Sequence, residues 1–168
     1  MAASLSSLYQ ATLGTCVAAM ALGVVYGSVL AWVPHAYLLT PFAAAGFGYL
    51  VALVAERMLV ASRVAQRGAR LGLPLFAGTL GFYVAWVAWV ATVYHTRDAF
   101  ILVWSPPSLF TTLQMLAYYP TWQLLGWGPK VHDMWSLWGC ELLVYFLTVH
   151  ACATGAVQRY DRDRTPRG

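Results

Sequence analysis

From Ala11 to Val33 no charged side chain interrupts a run of apolar and small residues, and Pro34-His35 then breaks it. A second apolar stretch leads from Tyr37 to Ala55 and closes on Glu56-Arg57. A third runs from Leu71 to Tyr94, with Pro74 near its start, where proline is tolerated. The fourth, Met134 to Val157, is interrupted only by Glu141 and His150. A helix crossing a bilayer needs about 20 mostly apolar residues. The pattern therefore predicts four spans, at about 11–33, 37–56, 71–94 and 134–157. The first is too long for the core of a signal peptide and follows no basic region, so it is expected to be retained.

Composition turns this pattern into a class. The chain has 168 residues, 60% hydrophobic and only 10% charged. Soluble domains carry about 25% charged residues, so a water-soluble globule built from this chain would expose much bare hydrocarbon. An ordinary cytosolic enzyme, a disordered tail and a collagen-like chain are excluded. The expected fold is all-α: an integral membrane four-helix bundle, with residues 1–158 as one transmembrane domain and 159–168 as a basic cytoplasmic tail.

The net charge of +4 sits in two blocks. Arg57, Arg63, Arg67 and Arg70 separate spans two and three, and Arg159, Arg162, Arg164 and Arg167 follow span four. Short loops rich in Lys and Arg stay cytoplasmic. Four spans put both blocks on one side and leave Arg97 and Lys130 on the other, so both termini are expected in the cytoplasm. A fifth crossing at 99–119 would set the two blocks on opposite sides, and the charge rule rejects it. The basic residues thus report orientation, and no nucleic-acid partner is expected. Cys16, Cys140 and Cys152 lie in apolar stretches with no pairing pattern and read as small hydrophobes.

The segment Thr96 to Asp133 is too broken by proline to cross as one helix and too apolar to float in water. Its rings include Trp104, Phe110, Tyr118, Tyr119, Trp122 and Trp127, with Trp135 and Trp138 just beyond. Trp and Tyr favour the headgroup layer, where the ring is apolar and its N–H or O–H meets water. A short interfacial or re-entrant helix is expected between spans three and four, capped by Ser108 and running to Tyr119.

Small residues recur at intervals of four, which places them on one helix face. Span one has Ala19, Gly23, Gly27 and Ala31, and span two has Thr40, Ala44, Gly48 and Ala52. Gly81, Ala85 and Ala88 follow in span three. Such faces let backbones approach closely in lipid. They serve either packing within the bundle, the plainer reading, or docking of a partner or a second copy.

Glu141 is the sharpest candidate for chemistry. It lies seven residues beyond Met134, roughly 10 Å along a helix. A carboxylate there costs about 2.5–3.5 kcal/mol on insertion scales and must face the interior or a partner. Trp135, Trp138, Glu141 and Tyr145 share a face, and Tyr83, Trp86 and Val90 form a comparable stripe on span three. Glu141 reads either as a polar clasp bonded to a Trp N–H or Tyr O–H, or as a proton-carrying or cation-binding group. His150 lies half a helical revolution away from it, at a depth compatible with a contact to Glu56. His35, His95 and His132, with Asp98 and Asp133, match no metal-ligand spacing, and no metal or cofactor is expected. No phosphate-binding loop, HExxH or nucleophile elbow is present, so no enzymatic activity is expected.

The order Tyr37, Gly46-Phe47-Gly48, a basic loop, Tyr83-x-x-Trp86, Gly126-Trp127 and Trp138-x-x-Glu141 resembles a group of small bacterial inner-membrane proteins. The resemblance covers about residues 24 to 148. It implies four spans and a bacterial inner-membrane location, and it supplies no mechanism. The function expected from these features is that of a non-enzymatic subunit or scaffold whose partners are lipid and other membrane subunits or a second copy. The alternative is a small transporter or proton-linked permease using Glu141.

Overall fold

The computed structural model describes residues 5–32, 39–94, 104–118 and 131–164. All regular structure among them is helical: α1 (Leu5–Trp32), α2 (Thr40–Ala61), α3 (Arg67–Tyr94), α4 (Pro106–Tyr118) and α5 (Val131–Arg164). Four of the five (α1, α2, α3 and α5) are long and apolar enough to cross a membrane.

Most helices outrun the apolar stretches that announce them. α1 begins at Leu5, α2 continues to Ala61, α3 begins at Arg67 and α5 runs on to Arg164. Hydropathy marks where side chains tolerate lipid, whereas each further helical residue still gains a backbone hydrogen bond. The basic tail from Arg159 to Arg164 is accordingly helix, and the basic connection shrinks to residues 62–66. That connection is built by the end of α2. The amides of Arg63 and Val64 donate to the carbonyls of Val60 (3.0 Å) and Leu59 (2.9 Å). Arg63 adopts a left-handed φ of 53°, and Val64 and Leu59 are both buried in one cluster. This pairing with its apolar clasp is a Schellman motif.

The helices alternate in direction. Gly23 packs on Gly81 and Gly27 on Ala85 and Trp89, so α1 and α3 run parallel. Gly48 meets Tyr145 and Val149, while Glu56 meets Arg159, so α2 and α5 run parallel. Gly14 against Met58 and Tyr26 against Phe47 together set α1 antiparallel to α2. Both arginine blocks therefore gather at one end of the bundle. There Arg70, only 6% exposed, donates from Nε to the carbonyl of Val64 (3.2 Å). Its guanidinium lies 3.9 Å from the centroid of Tyr160, which ties α3, the 62–66 turn and α5 together.

The small-residue face of α1 is consumed inside the chain. A Cβ on Gly23 or Gly27 would clash with the carbonyl oxygen of Gly81 or Ala85, respectively. Ala44 is buried and Gly48 faces Tyr145 closely, so the matching face of α2 is also turned inward. The close packing that these faces offer is spent within the bundle.

At the end opposite the arginines, α4 lies against α3 and α5 through Leu109, Leu113, Leu116 and Ala117. Its start differs from the expected one. Ser105, not Ser108, caps it: the Ser105 Oγ accepts from the Ser108 amide at 3.4 Å and lies 2.7 Å from the Ser108 Oγ. Pro106 and Pro107 then occupy the first helical positions, where their missing N–H costs nothing.

Candidate functional site

The centre of the bundle is a column of rings that the glycine-lined contacts bring within reach of one another. Tyr26 of α1 stacks on Phe47 of α2 at 4.6 Å and 13°. Phe47 stacks on Tyr145 of α5 at 5.0 Å, and Tyr145 meets Phe82 of α3 at 4.8 Å. The column continues through Phe82–Trp86 (5.7 Å), Trp86–Trp138 (5.5 Å) and Trp138–Trp135 (5.2 Å) toward α4. Phe110 of α4 joins Trp135 at 5.8 Å. Offset and edge-on ring pairs of this kind each add about 0.5–1.5 kcal/mol beyond area burial.

Glu141 projects into this column between Trp138 and Tyr145, and it is buried. The Tyr26 hydroxyl donates to its Oε1 at 2.7 Å. Among the described residues its other oxygen has no hydrogen-bond partner, and no cationic side chain contacts it. Tyr145, fully buried, donates to the carbonyl of Gly78 at 2.9 Å. Gly78 has no side chain to obstruct that approach; a Cβ there would sit 3.2 Å from the Tyr145 oxygen. The polar groups of the core thus join three of the long helices, Tyr26 to Glu141 linking α1 to α5 and Tyr145 to Gly78 linking α5 to α3, while α2 is held by the Phe47 ring stacked between the two tyrosines.

The stripe Trp138, Glu141 and Tyr145 faces inward, with Trp135 half-buried beside it. The partner of Glu141 nevertheless comes from span one rather than from the Tyr83–Trp86 stripe of span three. The Tyr83 hydroxyl instead donates to the carbonyl of Trp104, and their rings meet edge-on at 6.1 Å. Tyr26 carried a signal: it is the only ring between Ala11 and Ala31. Its distance of 115 residues from Glu141 left the pairing unreadable without the fold.

Glu56 and His150 are not brought together. His150 is exposed on the outer face of α5, while Glu56 pairs with Arg159, whose Nη2 lies 3.2 Å from each carboxylate oxygen. Arg159 is one helical turn further along the face of Cys152 and Gly155, which turns toward α2. Trp104 is exposed. Trp122, Trp127, His35, His95 and Asp98 lie outside the described residues, as do the side chains of His132 and Asp133. Among the described residues no cluster of His, Cys, Asp and Glu is placed to hold a metal ion.

No protein-family model matches the chain, and neither a curated protein nor a solved structure similar to it was found.

Proposed function

We propose that this is a multi-pass protein of a bacterial inner membrane that acts as a non-enzymatic subunit or scaffold of a membrane assembly. The observation carrying the reading is the closed, ring-filled interior around Tyr26 and Glu141. Among the described residues its rings touch all four long helices along the centre of the bundle, where a conduit would have to run. The outer surface supports a bilayer as its solvent. Val17, Val25 and Val29 of α1, Phe42 and Leu50 of α2, Phe76 of α3, and Leu143 and Leu147 of α5 are all exposed. A belt of this extent is foreign to soluble monomers. Among the described residues, the buried side chains of Thr15, Arg70 and Glu141 each make a hydrogen bond, which lowers the cost of holding them away from water.

The arginine-bearing end is assigned to the cytoplasm by the positive-inside rule, with both termini there. α4 then lies at the outer headgroup layer as an interfacial helix. The resemblance to small four-span bacterial proteins agrees with this placement. Since the glycine faces are occupied internally, partners would be met through the outward faces of the helices.

The test is cross-linking in membranes followed by extraction in mild detergent and mass spectrometry. A defined partner protein or a defined homo-oligomer is expected. Recovery of an uncross-linked monomer alone would refute the subunit reading.

A second reading, a proton-linked permease, is favoured by one observation: Glu141 receives a single donor and contacts no cation among the described residues. Proton uptake into liposomes, followed with an entrapped pH dye, decides it. Uptake lost in Glu141→Gln supports the permease, and liposomes as tight as protein-free ones dismiss it.

A further inference from the structure

Between α2 and α5, at the arginine-bearing end, a lateral groove of about 400 Å³ opens away from the bundle. Tyr49 and Leu53 flank a floor of Ala52, Ala151, Cys152 and Gly155, and Glu56 and Arg159 complete its lining. We propose that this groove seats one phospholipid with a primary-amine headgroup. An acyl chain lies on the small-residue floor, the phosphate meets Arg159 and the ammonium meets Glu56. The proposal rests on the membrane placement above.

Three observations carry it. The first is depth. Glu56 is the first charge of α2, and Arg159 is the first charge after Glu141 on α5. Both stand where the apolar stretches end, which is the level of headgroups.

The second is spare bonding capacity. Arg159 spends only Nη2 on Glu56. Its Nε and Nη1 have no partner among the described residues, and Nη1 overhangs the floor, 3.8 Å from where a Cβ on Gly155 would sit. The guanidinium side chain is 64% exposed and the carboxylate 31% exposed, so both are reachable from the lipid side. Guanidinium is the side chain best matched to a phosphate.

The third is charge complementarity. A groove bearing one cation and one anion matches a headgroup bearing one anion and one cation. An anionic headgroup would satisfy Arg159 but crowd Glu56. A trimethylated ammonium carries no N–H for the carboxylate to accept, whereas a primary ammonium offers three.

The experiment first establishes that the protein stays with the membrane after an alkaline wash. Release into the aqueous phase at that step would defeat the membrane reading itself, independently of any lipid preference. The protein is then delipidated in mild detergent and titrated with phosphatidylethanolamine, phosphatidylcholine and phosphatidylglycerol of identical chains, and bound lipid is counted by native mass spectrometry. One phosphatidylethanolamine is expected to bind about tenfold more tightly than phosphatidylcholine, the scale of a hydrogen bond to a charged group. Arg159→Gln should weaken both zwitterionic lipids. Glu56→Gln, which keeps an acceptor but loses its charge, should narrow the discrimination between them. Gly155→Leu, at a position where an added Cβ meets only the Arg159 side chain, should fill the floor and lower occupancy by every lipid while the circular dichroism stays unchanged. Equal binding of the three lipids, a preference for phosphatidylglycerol, or variants indistinguishable from wild type would overturn the proposal.

Discussion

Gly27→Ala tests the close approach of α1 and α3. The added methyl would clash with the carbonyl oxygen of Ala85, and it would also lie 2.9 Å from the Ala85 carbonyl carbon and 3.0 Å from the Trp89 amide nitrogen. All three are backbone atoms of α3 and cannot rotate aside. To restore ordinary contact, at 3.4 Å or beyond, α1 must retreat by well over 1 Å, and a gap of even about 1 Å forfeits about half of each dispersion well it opens. Overpacking of a tight contact costs about 1–3 kcal/mol, and backbone against backbone belongs at the upper end, about 3 kcal/mol. Alanine recovers about 1 kcal/mol through its better helix propensity. The net expectation is a loss of about 2 kcal/mol. Gly46→Ala is the control, because a Cβ there meets nothing within 4 Å. Propensity alone then acts, and the variant should gain up to about 1 kcal/mol. Both are measured by reversible unfolding in mixed micelles with increasing dodecyl sulfate, followed by tryptophan fluorescence. If Gly27→Ala moved the midpoint in the same direction as Gly46→Ala, the close approach of α1 and α3 would be wrong.

The other predictions use the same assay. Arg63 holds a left-handed φ of 53° at the end of α2, a conformation costing a side-chain-bearing residue about 1–2 kcal/mol. Arg63→Gly should therefore stabilise the protein by about 1 kcal/mol, and a destabilised variant would show that the arginine side chain makes a contact that outweighs the strain. Tyr26→Phe removes the one donor to Glu141 and should cost about 1.5–3 kcal/mol. In a double-mutant cycle with Glu141→Leu the two losses should couple by about 1 kcal/mol or more, and simple additivity would show that the bond contributes nothing.

The number of long helices, their apolar extents and the gathering of both arginine blocks at one end were legible in the chain, because each is written in local runs of residue type. So was the inward face of α5, since Trp138, Glu141 and Tyr145 fall at helical spacing. Helix ends were less legible. Leu5, Ala61 and Arg164 lie outside the hydropathy signal, and the cap of α4 slipped three residues because Ser105 and Ser108 offer the same chemistry and only the diproline between them decides. Pairings between helices were illegible. That Glu141 meets Tyr26 rather than a ring of span three, and that Glu56 meets Arg159 rather than His150, depends on which faces turn inward. The sequence spacing of one helix constrains that choice only when its neighbours are known.

The glycine faces show how such a neighbour changes what an experiment can mean. Gly23 and Gly27 are an obvious place to probe assembly, because a GxxxG face drives association in lipid. Here that face already holds α3, so a bulky residue at either position would dismantle one chain before it could separate two. A loss of assembly in such a variant would report on folding, and an intact assembly would report on nothing beyond tolerance. The informative positions are on the opposite side of the same helix. Val25 and Val29 are 61% and 54% exposed, they bear no load in the bundle, and a change there perturbs only what lies outside it. A protein built with its close-packing faces turned inward must present shape and side-chain chemistry, not bare backbone, to any partner it meets.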